Sequence, residues 1–252
     1  MSITSIILMF IFIIIPIVLS KSFNLGLEKD TTVAAIRSFV QLLIVGYILQ
    51  FIFDQDSYIF IVLMVILIIG AATQNARKKG LEIPGITWKL LLAFISIEII
   101  TQGILIGFNI TPATAQYIIP ISGMIIGNSM VLSILFLNRF MSEIKQNDNI
   151  IELILCLGGT PKQAIHKQLI TSIQSSVIPT IEQQKTIGLV QLPGMMSGQI
   201  IAGADPLEAV LFQILIVFML LTAATMTSVI LGFLSYPTLF NKKQQLIEKH
   251  FK

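Results

Sequence analysis

PLEAVLFQILIVFMLLTAATMTSVILGFL, residues 206–234, carries a single charged side chain, Glu208. The hydrocarbon core of a bilayer takes about 20 consecutive apolar residues of helix, and this stretch exceeds that length. The rest of the chain has the same character. Of 252 residues, 55% are hydrophobic and 12% charged, with a mean hydropathy of +0.89. Soluble domains average about 25% charged residues, so an ordinary soluble enzyme is excluded.

The same criterion selects residues 3–19, 33–53, 58–74, 87–108, 115–137, 188–203 and 206–234. The expected fold is all-α: one polytopic membrane helix bundle of about seven transmembrane helices, formed by residues 1–252 as a single domain. Segment 188–203 is the weakest, because it is short and carries Gln191, Pro193 and four glycines. A re-entrant loop is its competing reading.

Charge sets the expected orientation. Lys21, Lys29 and Arg37 flank the first connection, and Arg77, Lys78, Lys79 and Lys89 the third. Arg139, Lys145, Lys162, Lys167 and Lys185 fall in the fifth, and Lys242, Lys243, Lys249 and Lys252 in the tail. The remaining connections carry only Asp54, Asp56, Asp205 and Glu208. Basic residues in short loops mark the cytoplasmic side, which predicts the N-terminus outside and the C-terminus inside. Lys21 follows the first apolar run, and no basic residue precedes it, so that run reads as a span, not a cleavable signal peptide.

The polar residues concentrate at 138–186, expected to be cytoplasmic. Ile150, Leu153, Ile154 and Leu157 recur with helical spacing. Gly158-Gly159 then ends the helix. Thr160-Pro161-Lys162-Gln163 starts another, with Thr160 as N-cap, Pro161 at the first helical position and Gln163 completing a capping box. Ile165, Leu169 and Ile173 continue the apolar face. This helix–Gly-Gly–helix elbow is either a connector lying on lipid headgroups or a docking element for a cytoplasmic partner. It lacks the basic cluster that nucleic acid requires.

Glu98 is the one carboxylate deep within a predicted span, with Thr101 and Gln102 on the same helical face. A charge at that depth costs about 2.5–3.5 kcal/mol on insertion scales. It requires either a hydrogen bond to Asn128, Gln41 or Gln199, or a role as a cation or proton site. The pairs Gly103/Gly107, Gly123/Gly127 and Gly194/Gly198 have the spacing that lets helices approach closely, within one chain or between two. Met195-Met196 is either apolar filler or a soft-metal ligand pair.

Other chemistry is missing. Cys156 is the only cysteine and His166 and His250 the only histidines, too few for a conventional thiolate or imidazole metal site. There is no GxxxxGK[ST], GxSxG or HExxH. The chain is therefore not expected to be an enzyme or to bind a cofactor itself, and active transport would need an ion gradient or a separate ATPase.

Residues 179–190, PTIEQQKTIGLV, are followed after Gln191 by LPGMMSGQIIAGADPLEAVLFQI, residues 192–214. Together with TTVAAIRSFVQ at 31–41, GMIIGNSM at 123–130 and LGGTPKQA at 157–164, this pattern resembles the membrane subunit of FetB-type ABC transporters. These are iron-export permeases whose plant relatives are linked to aluminium tolerance. The resemblance covers nearly the whole chain. It implies a permease domain with residues 138–186 as coupling region, a separate cytoplasmic ATPase carrying ATP and Mg, and a second permease copy in a two-plus-two complex. Glu152, Gly158, Gly159, Thr160, Pro161 and Lys162 are similar to the coupling loop of ABC permeases, although Leu153 and Ile154 stand where that loop often has two alanines. The substrate implied is a metal ion, iron first, with Glu98, Gln102 and Asn128 as pathway candidates and Glu98, Met195 and Met196 as metal candidates. No metal ligand is carried over from the family.

Two other functions fit the residues: a proton-coupled secondary transporter using Glu98, and a non-transporting scaffold or sensor recruiting a protein through the elbow. The expected location is a bacterial cytoplasmic membrane, crossed several times.

Overall fold

The computed structural model describes residues 11–55, 57–78, 83–241 and 243–247. The start of the first predicted span, together with Asp56, Lys79, Lys242, Lys249, His250 and Lys252, lies outside the described residues. The protein is helical, and its only extended pairings among the described residues are the isolated bridges Ile187–Gln191 and Phe240–Leu246.

Residues 1–252, read from sequence as one domain, divide by their packing into two units, Met1–Ser57 and Tyr58–Lys252. The first holds α1 (Ile11–Ser22) and α2 (Glu28–Gln55). Asn24 and Gly26 take left-handed backbone angles in the turn between them. The Ser20 hydroxyl accepts from the Leu27 N–H at 3.0 Å and donates to Glu28 at 2.9 Å. Glu28 and Asp30 sit in the first turn of α2, where the helix dipole favours acids.

The second unit contains α3 (Tyr58–Arg77), α4 (Ile86–Gly107), α5 (Ala115–Gln146), α6 (Asp148–Cys156), α7 (Pro161–Thr186), α8 (Gly194–Ile201) and α9 (Pro206–Ser235). α5 packs against α3, α4, α7 and α9. One core cluster joins Phe94, Phe136, Phe140, Ile144, Ile151, Ile165, Leu169 and Leu231; Phe136 and Phe140 stack at 5.3 Å. A second joins Ile97, Leu105, Ile121, Ile125, Ile216 and Met219.

Among the described residues, five helices are long and apolar enough to cross a membrane: α2, α3, α4, α5 and α9 with its short 3-10 extension. The expected crossing at 188–203 is corrected. Pro193 opens α8, which is only 8 residues long, about 12 Å at 1.5 Å per residue. The left-handed Gly203 closes it, with Ala204 N–H donating to the Gln199 carbonyl and Gly203 N–H to that of Ile200, a Schellman ending. Asp205 then caps α9 by accepting from the Leu207 and Glu208 N–H groups.

Within 138–186, α7 is a member of the bundle, although it is not among the five helices long and apolar enough to cross a membrane. It runs antiparallel to α9: Leu169 meets Gly232, Ser176 hydrogen-bonds Ser228 at 2.8 Å, and Gln184 donates to the Val217 carbonyl at 2.8 Å. Ile165, Leu169, Ser172, Ser176 and Thr180 form its buried stripe. Serine hydroxyls bond back to carbonyls of their own helix, as Ser172 does to Gln168, so small polar residues line a tight helix contact without orphaned donors. Lys185, grouped by sequence with Lys162 and Lys167, therefore lies at the far end of α7 from them, ion-paired with Glu182 at 2.6 Å.

Candidate functional site

The elbow forms as the residue pattern requires. α6 ends in a second Schellman motif: Gly158 has φ +87°, its N–H donates to Leu155, and the Gly159 N–H donates to Ile154 at 2.9 Å. Glycine is needed at 159 for a different reason. A Cβ there would lie 2.6 Å from the Ile154 methyl and 2.8 Å from its carbonyl oxygen. Thr160 caps α7, its N–H donating to the Gln163 side chain at 2.9 Å while its hydroxyl accepts from the Gln163 N–H. Pro161 occupies the first turn.

The apolar face of α6 is divided by one residue. Ile151 is fully buried, and Ile154 and Leu155 pack beside it on the core. Ile150, Leu153 and Leu157 are exposed, Leu157 by 79%. The predicted set of Ile150, Leu153, Ile154 and Leu157 therefore does not form one inward face. The inward triplet is Ile151, Ile154 and Leu155, and the others make an uncovered apolar patch. Glu152, Gly158 and Gly159 line a cavity of about 630 Å³ opposite Lys243–Leu246, while Lys162 is exposed beside Thr160 and His166.

Within the bundle, Glu98 is buried and meets a residue not singled out in the sequence. Ser122 on α5 donates to Glu98 Oε1, and Gln102 Nε2 donates to the Ser122 hydroxyl at 2.9 Å. Glu98 Oε2 and Gln102 Oε1 are buried with no hydrogen-bond partner among the described residues. The expected alternatives Asn128 and Gln199 do not bond Glu98, and Thr101 turns back onto the Ile97 carbonyl. Asn128 instead lines a separate cavity with Gln184 and Gln213. A hydroxyl within reach of α4 was visible in sequence only as one serine among several on α5.

The glycine pairs do not mark contacts between helices of this chain. A Cβ added at Gly103, Gly107, Gly123, Gly127, Gly194 or Gly198 meets nothing within 4 Å. The close approach is at Gly232, which follows Ser228 at i+4 in a small-xxx-small spacing that contains no second glycine. Met195 packs on the second core cluster, which accounts for it as filler. Among the described residues, no three His, Cys, Asp or Glu side chains come together as a metal site.

The profile of the uncharacterised protein family UPF0014 matches residues 3–240. The chain belongs to the UPF0014 family. It is 56% identical over 236 residues to UPF0014 membrane protein YjkA of Bacillus subtilis (strain 168), which covers 94% of each chain. Identity is 38% over 243 residues with the probable iron export permease protein FetB of Escherichia coli (strain K12), covering 95% of this chain and 93% of that one. Protein ALUMINUM SENSITIVE 3 of Arabidopsis thaliana is 36% identical over 93% of this chain and 86% of its own. No solved structure matches. Residues 192–206, within the matched region, form α8 with its Schellman turn and the capped start of α9. The chain is a multi-pass membrane protein.

Proposed function

We propose that this chain is the membrane-spanning subunit of an ABC transporter, exporting a metal ion and driven by a separate ATPase that docks on residues 150–174. The observation that carries the reading is the continuity of the elbow with α7. Exposed Ile150, Leu153 and Leu157 lie on one side of the Gly-Gly turn. On the other side, a capped helix runs without interruption into the bundle and along α9. A partner gripping the elbow would move α7 as a lever.

The polar stripe of α7 gives that lever something to do, since shifting it rearranges hydroxyl and amide groups at membrane depth. Iron is favoured by the name of the E. coli relative. Two copies of the permease and two of the ATPase, which holds ATP and Mg, complete the assembly. In this proposal α7, packed along α5 and α9, takes the place of 188–203 as the crossing between them, although it is not among the five helices apolar enough to cross by composition. The parity of crossings there is unchanged. The basic tail and the elbow stay together on the cytoplasmic side, and Lys185 moves to the outer one.

The test is co-expression with the candidate ATPase, followed by metal uptake and ATP hydrolysis in inverted vesicles. Gly158→Trp should leave the chain in the membrane while ATP hydrolysis no longer drives metal movement. Normal metal movement by that variant would sink the docking assignment.

A further inference from the structure

A second polar site lies apart from Glu98. α5, α7 and α9 enclose a cavity of about 90 Å³, bounded by the turn that follows α7. Its polar lining is Asn128, Thr180, Gln183, Gln184, Gln191 and Gln213, none of them charged. A water needs about 10–15 Å³ of such space, so the cavity has room for several waters or for an ion with part of its hydration shell.

Gln213 is the informative residue. It interrupts an otherwise apolar stretch of α9, is only 7% exposed, and its Oε1 has no hydrogen-bond partner among the described residues. Asn128 Nδ2 is buried in the same condition. An unmet buried polar group is destabilising, a cost that a leucine at either position would not carry. Gln184 has a defined orientation: its Nε2 donates to the Val217 carbonyl, which commits the nitrogen and leaves the oxygen as the free end. Asn128 can present oxygen in place of nitrogen by a half-turn of its amide.

Neutral amide oxygens are ligands for hard cations such as Mn²⁺, Mg²⁺ and Ca²⁺. Without a carboxylate or thiolate they hold an ion loosely, and a transit site must release what it binds. Thr180 lies about 30 Å along α7 from Thr160 at 1.5 Å per residue, roughly one hydrocarbon thickness from the elbow.

We infer that this cavity binds a hard divalent cation, partly hydrated, through the amide oxygens of Gln213, Gln184 and Asn128. The inference rests on the metal-permease reading and assigns it a site at the end of the bundle remote from the ATPase.

The experiment measures Mn²⁺ binding to the purified full chain in nanodiscs, from loss of the free-ion EPR signal. Wild type should bind Mn²⁺, and Gln213→Leu and Asn128→Leu should each weaken binding by about tenfold or more while leaving the melting temperature unchanged or higher. Gln213→Glu, which keeps the shape and adds charge, should tighten it by about tenfold. Unchanged affinity in both leucine variants, no tightening in Gln213→Glu, or no binding by wild type would each overturn the assignment. Vesicle transport separates this from the permease reading. Metal movement that persists with unaltered Mn²⁺ affinity in the leucine variants removes the cavity alone. Gln213-dependent Mn²⁺ binding without any ATP-driven metal movement removes the permease reading and leaves the site.

Discussion

Gly232 on α9 faces Leu169 on α7 so closely that a Cβ at 232 would lie 2.7 Å from Leu169 Cδ1 and 3.4 Å from the Phe136 ring. This contact sets the spacing of α7 against α9 and α5. Because Cδ1 is the end of a flexible side chain, Gly232→Ala should be tolerated at a cost of about 1–3 kcal/mol. Adding Leu169→Ala should relieve part of that cost. Thermal unfolding of the single and double variants in detergent would show the coupling, and strictly additive losses would mean that the two residues do not share the contact.

The two elbow glycines should fail differently. At Gly158 the difficulty is backbone angle, and Gly158→Ala should cost about 1–2 kcal/mol. At Gly159 a Cβ meets the Ile154 carbonyl as well as its methyl, so the turn itself must move. Gly159→Ala is therefore expected to be the more damaging. Protease protection of the α6–α7 junction would rank the two, and equal protection would argue against the steric account.

Exposed and buried residues of α6 should separate docking from stability. Replacing Ile150, Leu153 and Leu157 with serine should lower ATPase co-purification while leaving the melting temperature nearly unchanged. Ile151→Ala removes a fully buried side chain and should cost about 2–5 kcal/mol. If the serine variant retains its partner, the patch is not the contact.

Ser122 and Glu98 permit a similar separation. Ser122→Ala removes the hydroxyl that joins Glu98 to Gln102 and should destabilise by about 1–3 kcal/mol. Glu98→Gln keeps an acceptor for Ser122, so the fold should persist while metal export under iron stress falls. Wild-type cellular iron at equal expression would remove the carboxylate from the mechanism.

The turn and cap of the elbow were legible in the sequence because each is a local rule, whereas the inward face of α6 was not. Thr160, Pro161 and Gln163 make a cap within one turn, and Gly158 ends a helix through its own backbone freedom. α7 was not legible as a bundle member, although residues 168–181 carry no charge. Its buried stripe contains Ser172, Ser176 and Thr180, and hydropathy counts these as polar whether they face water or Ser228 on α9. Glu98 was identified by its cost alone, and its partner Ser122 depends on how α4 sits against α5.

By itself, therefore, the sequence determined the family through its resemblance. Apart from that, it determined a multi-pass helical membrane protein, the turn and cap of the elbow and the singular position of Glu98. Those three follow from composition, short-range backbone geometry and the cost of charge in hydrocarbon. Only the tertiary structure decided that α7 belongs to the bundle, that 188–203 is a short helix and turn, and that Gly232 is the close-packed glycine. It also brought Asn128 and Gln213 to one cavity. The physical reason is that a polar group is stable inside a membrane protein when another helix meets it, and that partner lies far away along the chain.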